Sequence, residues 1–403
     1  MKRGSPELTA ALAQLADQHL RRVRRTVALS DSDSRTQIQI DGHRLVDFSS
    51  NDYLGLARHP ALATAMGECA RACGAGSGAS HMVTGHGVEH QRLEEELAAF
   101  TGRARAVLFS TGYMANLAVI TTLAGRGERV LLDRLSHASL IDAGLLSGAR
   151  FKRYAHADAT AAESDLAAGR GSPTTVVATD GLFSMDGDVA PLEALARASR
   201  AHGAWLVVDD AHGLGVLGAN GRGTVEHFGL DGDDVPVLVG TLGKAFGAFG
   251  AFVAGAPDLI ELLMQKARPY IYTTALPQPV AAAARKSLEI SQREPWRRER
   301  LSALVRRFRT AALRHEVPLA PHSGPLTPIQ PVMLGSSEKA LAAQQELFRA
   351  GFCVIAIRPP TVPRDTARLR VTLSAAHTDA QVDALAEALG HICARVGAAP
   401  EAV

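Results

Sequence analysis

Cysteine is scarce: Cys69, Cys73, Cys353 and Cys393 are the only four in 403 residues. A disulfide scaffold is therefore excluded, and free, reduced thiols are expected. Cys69 and Cys73 could share a helix face, but no nearby Cys/His pair completes a zinc site. No apolar run approaches the roughly 18 residues of a membrane span. The opening Met1-Lys2-Arg3-Gly4-Ser5-Pro6-Glu7 has no hydrophobic signal core, so a cytoplasmic location is expected. Charge of one sign is missing too: 43 Lys plus Arg against 41 Asp plus Glu leave +2, which argues against a dedicated nucleic-acid binder. Several signatures are absent. Lys244 is followed by Ala245, so there is no P-loop. Gly74-Ala75-Gly76-Ser77-Gly78 has the wrong spacing for a dinucleotide fingerprint, and no Gly-x-Ser-x-Gly elbow occurs.

What remains is a globular composition, 46% hydrophobic and 21% charged, long enough for two or three domains. Residues 6–28 read as one amphipathic helix with a basic end, Arg21-Arg22-Val23-Arg24-Arg25. Asp41-Gly42 predicts a hairpin turn between Thr36–Ile40 and His43–Phe48. From residue 51 short apolar runs alternate with helical stretches. Strands are expected at Ala106–Phe109, Val130–Asp133, Thr175–Thr179, Trp205–Asp209 and Val237–Gly240, with a final one in Gly247–Val253. Helices are expected from Thr111, from His137 and over Leu192–His202. This alternation predicts an α/β fold with a mostly parallel sheet flanked by helices. Beyond about residue 290 the pattern becomes a small α+β domain. It opens with a charged helix, Arg293–Arg309, whose apolar face is Trp296, Leu301, Leu304, Val305 and Phe308. It continues through a strand at Ile329–Met333, a helix over Glu338–Ala350, strands at Cys353–Ile357 and Arg368–Thr372 and a closing helix over Asp379–Val396. The expected organisation is an N-terminal helix and hairpin arm (1–50), a large domain (51–290) and a small C-terminal domain (291–403).

In open parallel sheets ligands bind beyond the carboxyl ends of the strands. Those ends carry Ser110-Thr111-Gly112-Tyr113, Ser136-His137, Phe183-Ser184-Met185-Asp186, Asp209-Asp210-Ala211-His212 and Thr241-Leu242-Gly243-Lys244. Taken singly, Asp-Asp-Ala-His could be a nucleotidase-type acidic motif, and Gly-Lys is more often structural. Together they supply an amine nucleophile, an acid with a histidine, a helix start suited to phosphate and a second histidine. That set suits pyridoxal phosphate, which needs a lysine, an acid for its ring nitrogen and a phosphate cradle. His81, His86 and His90 cluster in sequence, but no acid or cysteine completes a convincing metal set, and no metal is expected.

These motifs, with Ser49-Ser50-Asn51-Asp52-Tyr53-Leu54-Gly55-Leu56, resemble the α-oxoamine synthases over about residues 20–392. The family implies the pyridoxal-phosphate type I fold and the cofactor pyridoxal 5'-phosphate. It implies Lys244 as the Schiff-base lysine, Asp209 at the pyridine nitrogen, His212 at the ring's phenolic oxygen and His137 stacked on the ring. Gly112, Tyr113, Ser184 and Thr241 are implied around the cofactor. The runs Ala356–Pro363 and Arg368–His377 are similar to the branch that condenses L-alanine with a pimeloyl thioester, on CoA or acyl carrier protein. Sister branches, including one using glycine and acetyl-CoA, usually lack Arg358-Pro359-Pro360-Thr361. A non-catalytic partner subunit would have lost its lysine, and a generic nucleotide module would show glycine fingerprints. Arg370 is implied at the amino-acid carboxylate, though it could be a surface strand arginine. Thr361 is implied at the acyl entrance. Arg22 matches a substrate-contacting arginine of the family, with Arg21, Arg24 and Arg25 as the neighbouring register alternatives. Thr273 and Thr274, after Arg268-Pro269-Tyr270-Ile271-Tyr272, imply a homodimer with shared sites, while Tyr270 and Tyr272 equally suit interface packing. Asp365 departs from the family glycine and bears on a local loop shape.

Overall fold

The computed structural model describes residues 5–29, 35–169, 174–321 and 324–398; Met1–Gly4 and part of the proline-rich Pro318–Pro331 stretch lie outside these. The chain forms two compact units. One contains residues 51–184 and 188–300, the other residues 1–50, 185–187 and 301–403.

The larger unit is built on seven strands: β1 (Arg105–Phe109), β2 (Arg129–Asp133), β3 (Arg150–Tyr154), β4 (Thr175–Asp180), β5 (Trp205–Asp209), β6 (Val237–Thr241) and β7 (Ala251–Gly255). Their order is β1-β7-β6-β5-β4-β2-β3. The pairs β3–β2, β2–β4, β4–β5 and β5–β6 are parallel, while β7 runs antiparallel to both its neighbours. Alternation sends Val176, Ala178 and Val207 to one apolar layer and Val177, Leu206 and Val208 to the other. Both faces are buried, as a parallel sheet clothed in helices requires. The expected α/β fold is therefore present.

Several local expectations differ from the structure. The final strand begins at Ala251, not Gly247, because Gly247 (φ +60°) and Gly250 (φ +115°) leave the extended region. Strand β3 carries no sequence signal: as an edge strand with polar exposed positions, Arg-Phe-Lys-Arg-Tyr shows no apolar run. Trp296 is about half exposed under the Arg297 guanidinium, rather than part of an apolar face.

In the smaller unit, the N-terminal helix covers only Ser5–Asp17. His19 turns left-handed (φ +55°), and the Leu20 and Arg21 N–H groups both close back on Leu15 O. The following arginine run would crowd like charges on a helix. Instead it leads to Val27–Leu29, which pairs antiparallel with Ile38–Ile40. The Asp41-Gly42 turn forms with both residues at positive φ, the geometry of a two-residue hairpin. The expected single strand Cys353–Ile357 is divided. Phe352–Cys353 pairs parallel with Val46–Asp47, and Ile355–Ile357 pairs with Ala367–Thr372, which also pairs with Ile329–Gly335. Asp365 has φ +60° and so holds the left-handed turn that a glycine would take.

Candidate active site

Three adjacent parallel strands, β2, β4 and β5, each end in a buried aspartate: Asp133, Asp180 and Asp209. Each is satisfied differently. Asp133 accepts from the Leu135 and Ala157 N–H groups and contacts His156 Nδ1 at 2.9 Å. His156 bridges on to Asp188 at 2.9 Å; burial opposes its charge, but the two carboxylates raise its pKa to about 10. Asp180 accepts from the His137 N–H at 2.8 Å. Complete burial, then its neighbour Asp209, push its pKa far up. Asp209 accepts from Asn116 Nδ2 at 2.6 Å and from the Ala211 N–H at 3.1 Å. Asp210, the other acid of the pair, is different: its carboxylate accepts from the Thr224 N–H at 2.7 Å, and burial lifts its pKa to about 7.

Lys244 lies in the short connection between β6 and β7. That loop is closed by the Leu242 N–H on Gly250 O and the Gly247 N–H on Lys244 O, both at 2.8 Å. A Cβ at Gly247 would come within 2.2 Å of the Ala57 nitrogen, so only glycine fits there. The lysine Nζ is 2.7 Å from His212 Nε2, and His212 Nδ1 is 2.7 Å from the hydroxyl of fully buried Tyr53. Tyr53 carries no pattern signal beyond its place in Asn51-Asp52-Tyr53, and its contact with His212 joins residues far apart in sequence.

Thr111 caps the helix Gly112–Leu123 through Met114 N, and His137 caps the helix Ala138–Leu146. Gly112 and Tyr113 hold N–H groups in the first helical turn, where no intrahelical acceptor exists. A Cβ at Gly112 would meet nothing within 4 Å, so open space lies in front of that turn. Tyr113 is 43% exposed and donates to Asp142 at 2.5 Å. His137 keeps an accessible face, yet burial on its other side lowers its pKa against the pull of Asp209. Thr241 donates to Gly250 O at 3.0 Å, and Ser184 is half-buried.

This set fits pyridoxal phosphate. An amine held by an imidazole, a buried acid at a strand end and an open helix start answer the cofactor's aldehyde, ring nitrogen and phosphate in turn. A cavity of about 1040 Å³ in this unit lies elsewhere, and its charged lining is self-satisfied, as by Arg285 with Glu89 at 2.6 Å. His81, His86 and His90 do converge, with ligand atoms within 4.8 Å of one another. His90, however, spends Nδ1 on the Gly87 N–H and Nε2 on Leu276 O, so the trio forms a hydrogen-bonded cap.

In the smaller unit Arg22 Nη2 donates to Thr361 Oγ1 at 3.0 Å. Both border a cavity of about 680 Å³ whose walls include Ile38, Phe348 and Ile357 together with Arg21 and Arg25. Arg370 is buried in the strand Ala367–Thr372 rather than lying on a surface.

Residues 43–389 match the family model for class I and II aminotransferases. The chain is 59% identical over 380 residues to the 8-amino-7-oxononanoate synthase of Methylococcus capsulatus, covering 94% of this chain and 96% of that one. It is 58% identical over 383 residues to that of Stutzerimonas stutzeri, covering 95% and 96%. Among solved structures, serine palmitoyltransferase from S. paucimobilis, with pyridoxal phosphate and myriocin bound, superposes with a TM-score of 0.90 at 32% identity over 97% of this chain and 98% of that one. The 8-amino-7-oxononanoate synthase of Francisella tularensis gives 0.75 at 32% identity, over 87% and 98%. Among the described residues no helix is long and apolar enough to cross a membrane.

Proposed function

Because this chain belongs to the class I and II aminotransferase family and, within it, to the 8-amino-7-oxononanoate synthases, we propose that it condenses L-alanine with a pimeloyl thioester of CoA or acyl carrier protein. The products are 8-amino-7-oxononanoate, CO₂ and the free thiol, a step of biotin synthesis. A carbon–carbon bond forms between the alanine α-carbon and the thioester carbonyl as the thiol leaves. The alanine carboxyl departs as CO₂, and a proton takes its place. The observation that carries this reading is the Lys244–His212 contact of 2.7 Å, on the same strand-end rim as buried Asp209.

When bound, pyridoxal phosphate supplies an electron sink for negative charge at the amino acid's α-carbon. Lys244 holds the cofactor between turnovers and then, as a free amine, takes the α-proton at Nζ. His212, backed by Tyr53, orients that amine and reaches the cofactor's phenolic oxygen. Asp209 keeps the ring nitrogen protonated, since a buried carboxylate favours a cationic neighbour. The N–H groups of Gly112 and Tyr113 bind phosphate at the helix start. Ser184 and Thr241 serve the cofactor's polar groups, and His137 covers its ring and faces substrate. Arg370 takes the alanine carboxylate in bidentate fashion. Arg22 and Thr361 bind the acyl substrate; aliphatic walls with arginines suit a long chain ending in a carboxylate. The protein acts in the cytoplasm as a homodimer, with Thr273 or Thr274 reaching the partner's phosphate site.

A substrate panel tests this. L-alanine or glycine is paired with pimeloyl-CoA, pimeloyl-acyl carrier protein or acetyl-CoA, and thiol release and product mass are followed. Turnover is expected with L-alanine and a pimeloyl thioester. Faster turnover of glycine with acetyl-CoA would overturn the assignment.

A further inference from the structure

Two polar side chains near the site are fully buried and have no role in the scheme above: Asn116 and Ser139. Asn116 Nδ2 donates to Asp209 Oδ2 at 2.6 Å and to Ser139 Oγ at 2.8 Å. An amide nitrogen has two protons to give and accepts none, so both bonds run the same way. The amide cannot be turned over, because its oxygen would then face the Asp209 carboxylate. Ser139 Oγ therefore accepts a hydrogen bond from Asn116. Its own proton is left for its other neighbour, His137 Nδ1, at 2.7 Å. The Ser139 backbone N–H also donates to Nδ1, at 3.3 Å. Two donors thus converge on one ring nitrogen, which must be the unprotonated one. The proton of the neutral ring is on Nε2.

We propose that Asn116 and Ser139 are positioning residues that lock His137 as its Nε2–H tautomer, with Asp209 as the fixed end of the relay. The relay ties the two groups that clasp the cofactor, one at its ring nitrogen and one at its face. It leaves His137 Nε2 a donor, suited to a substrate's anionic oxygen and unable to accept a proton there. The inference rests on the placement of His137 in the site read above, but its main readout does not require turnover.

The test uses protein labelled with ¹⁵N in its histidine rings, with and without pyridoxal phosphate, and His137→Gln to assign the resonance. Wild type is expected to show a pyridine-type shift at Nδ1 and a pyrrole-type shift at Nε2. In Ser139→Ala only the long backbone bond remains, and in Asn116→Leu the hydroxyl can rotate, so both variants should show averaged shifts from mixed tautomers. Ser139→Thr keeps the hydroxyl and should restore the wild-type pattern. The kcat/KM for L-alanine should fall roughly tenfold in Ser139→Ala and recover in Ser139→Thr, the scale of one hydrogen bond. Protonation of Nδ1 in wild type, or unaltered shifts in Ser139→Ala, would overturn the proposal, and Ser139→Ala decides alone if Asn116→Leu does not fold. Absence of turnover in wild type with the Nε2–H signature intact would count against the synthase reading and leave the relay standing.

Discussion

Asp209→Asn probes the electrostatic centre of the site, and its consequences can be worked from two bonds. The carboxylate accepts from Asn116 Nδ2 at one oxygen and from the Ala211 N–H at the other. An asparagine offers only one acceptor oxygen. Its NH₂ must then face either the Asn116 amide or the Ala211 N–H, donor against donor. A buried donor left without a partner costs about 1–3 kcal/mol, so the cofactor-free protein should lose about that much stability in urea unfolding. Cofactor binding should suffer separately. A charge-assisted hydrogen bond to the ring nitrogen contributes about 1.5–3 kcal/mol, so the Kd for pyridoxal phosphate should rise roughly 10- to 150-fold. Titration of the cofactor-free variant, followed by absorbance, measures this directly. A Kd equal to that of wild type would refute the assignment of Asp209 to the ring nitrogen, whatever happened to stability.

Lys244→Ala should still take up pyridoxal phosphate, but borohydride reduction should no longer fix it to the chain, and turnover should vanish; a reduced adduct found by mass spectrometry would count against Lys244. His377 is buried, donates to Asp47 O and stacks on Phe48 at 4.0 Å, and burial lowers its pKa to about 4. Its unfolded value is near 6.5, so the stability it contributes is present above that pH and is lost as pH falls through 4. The total is about 3 kcal/mol. His377→Gln should flatten the fall in urea midpoint between pH 7 and 4, and an unchanged slope would exclude His377 as its source. Asp365→Gly should stabilise the protein by about 0.5–1 kcal/mol, because Asp365 sits at φ +60°. A lower melting temperature for the glycine variant would contradict that.

The site was legible where chemistry falls at the ends of apolar strands. Lys244, His212 and Asp209 could be set on one rim because β5 and β6 announce themselves as Val- and Leu-rich runs, and the helix opening at Thr111 follows the end of the apolar run at Phe109. What stayed hidden depends on tertiary contact. Asn116 sits among the apolar residues Met114, Ala115, Leu117 and Ala118 of its helix, and only the fold brings it to Asp209. Strand β3 is held by its partner β2 rather than by its own composition. The N-terminal helix stops early because Val27–Leu29 gains strand partners that periodicity does not reveal.

The antiparallel strand β7 also bears on the order in which the molecule assembles. Strands β6 and β7 are near neighbours in the chain, so the hairpin carrying Lys244 can close through a short loop at small entropic cost. The Gly112 helix start is attached to β1, which meets β7 only by bringing together residues far apart in sequence. Contact order therefore predicts that the lysine is in place early and the Gly112 helix start late. Competence to bind pyridoxal phosphate should then arise at the final step of sheet closure. Cofactor capture during refolding would report completion of the sheet, while amide protection in β6 and β7 would come first.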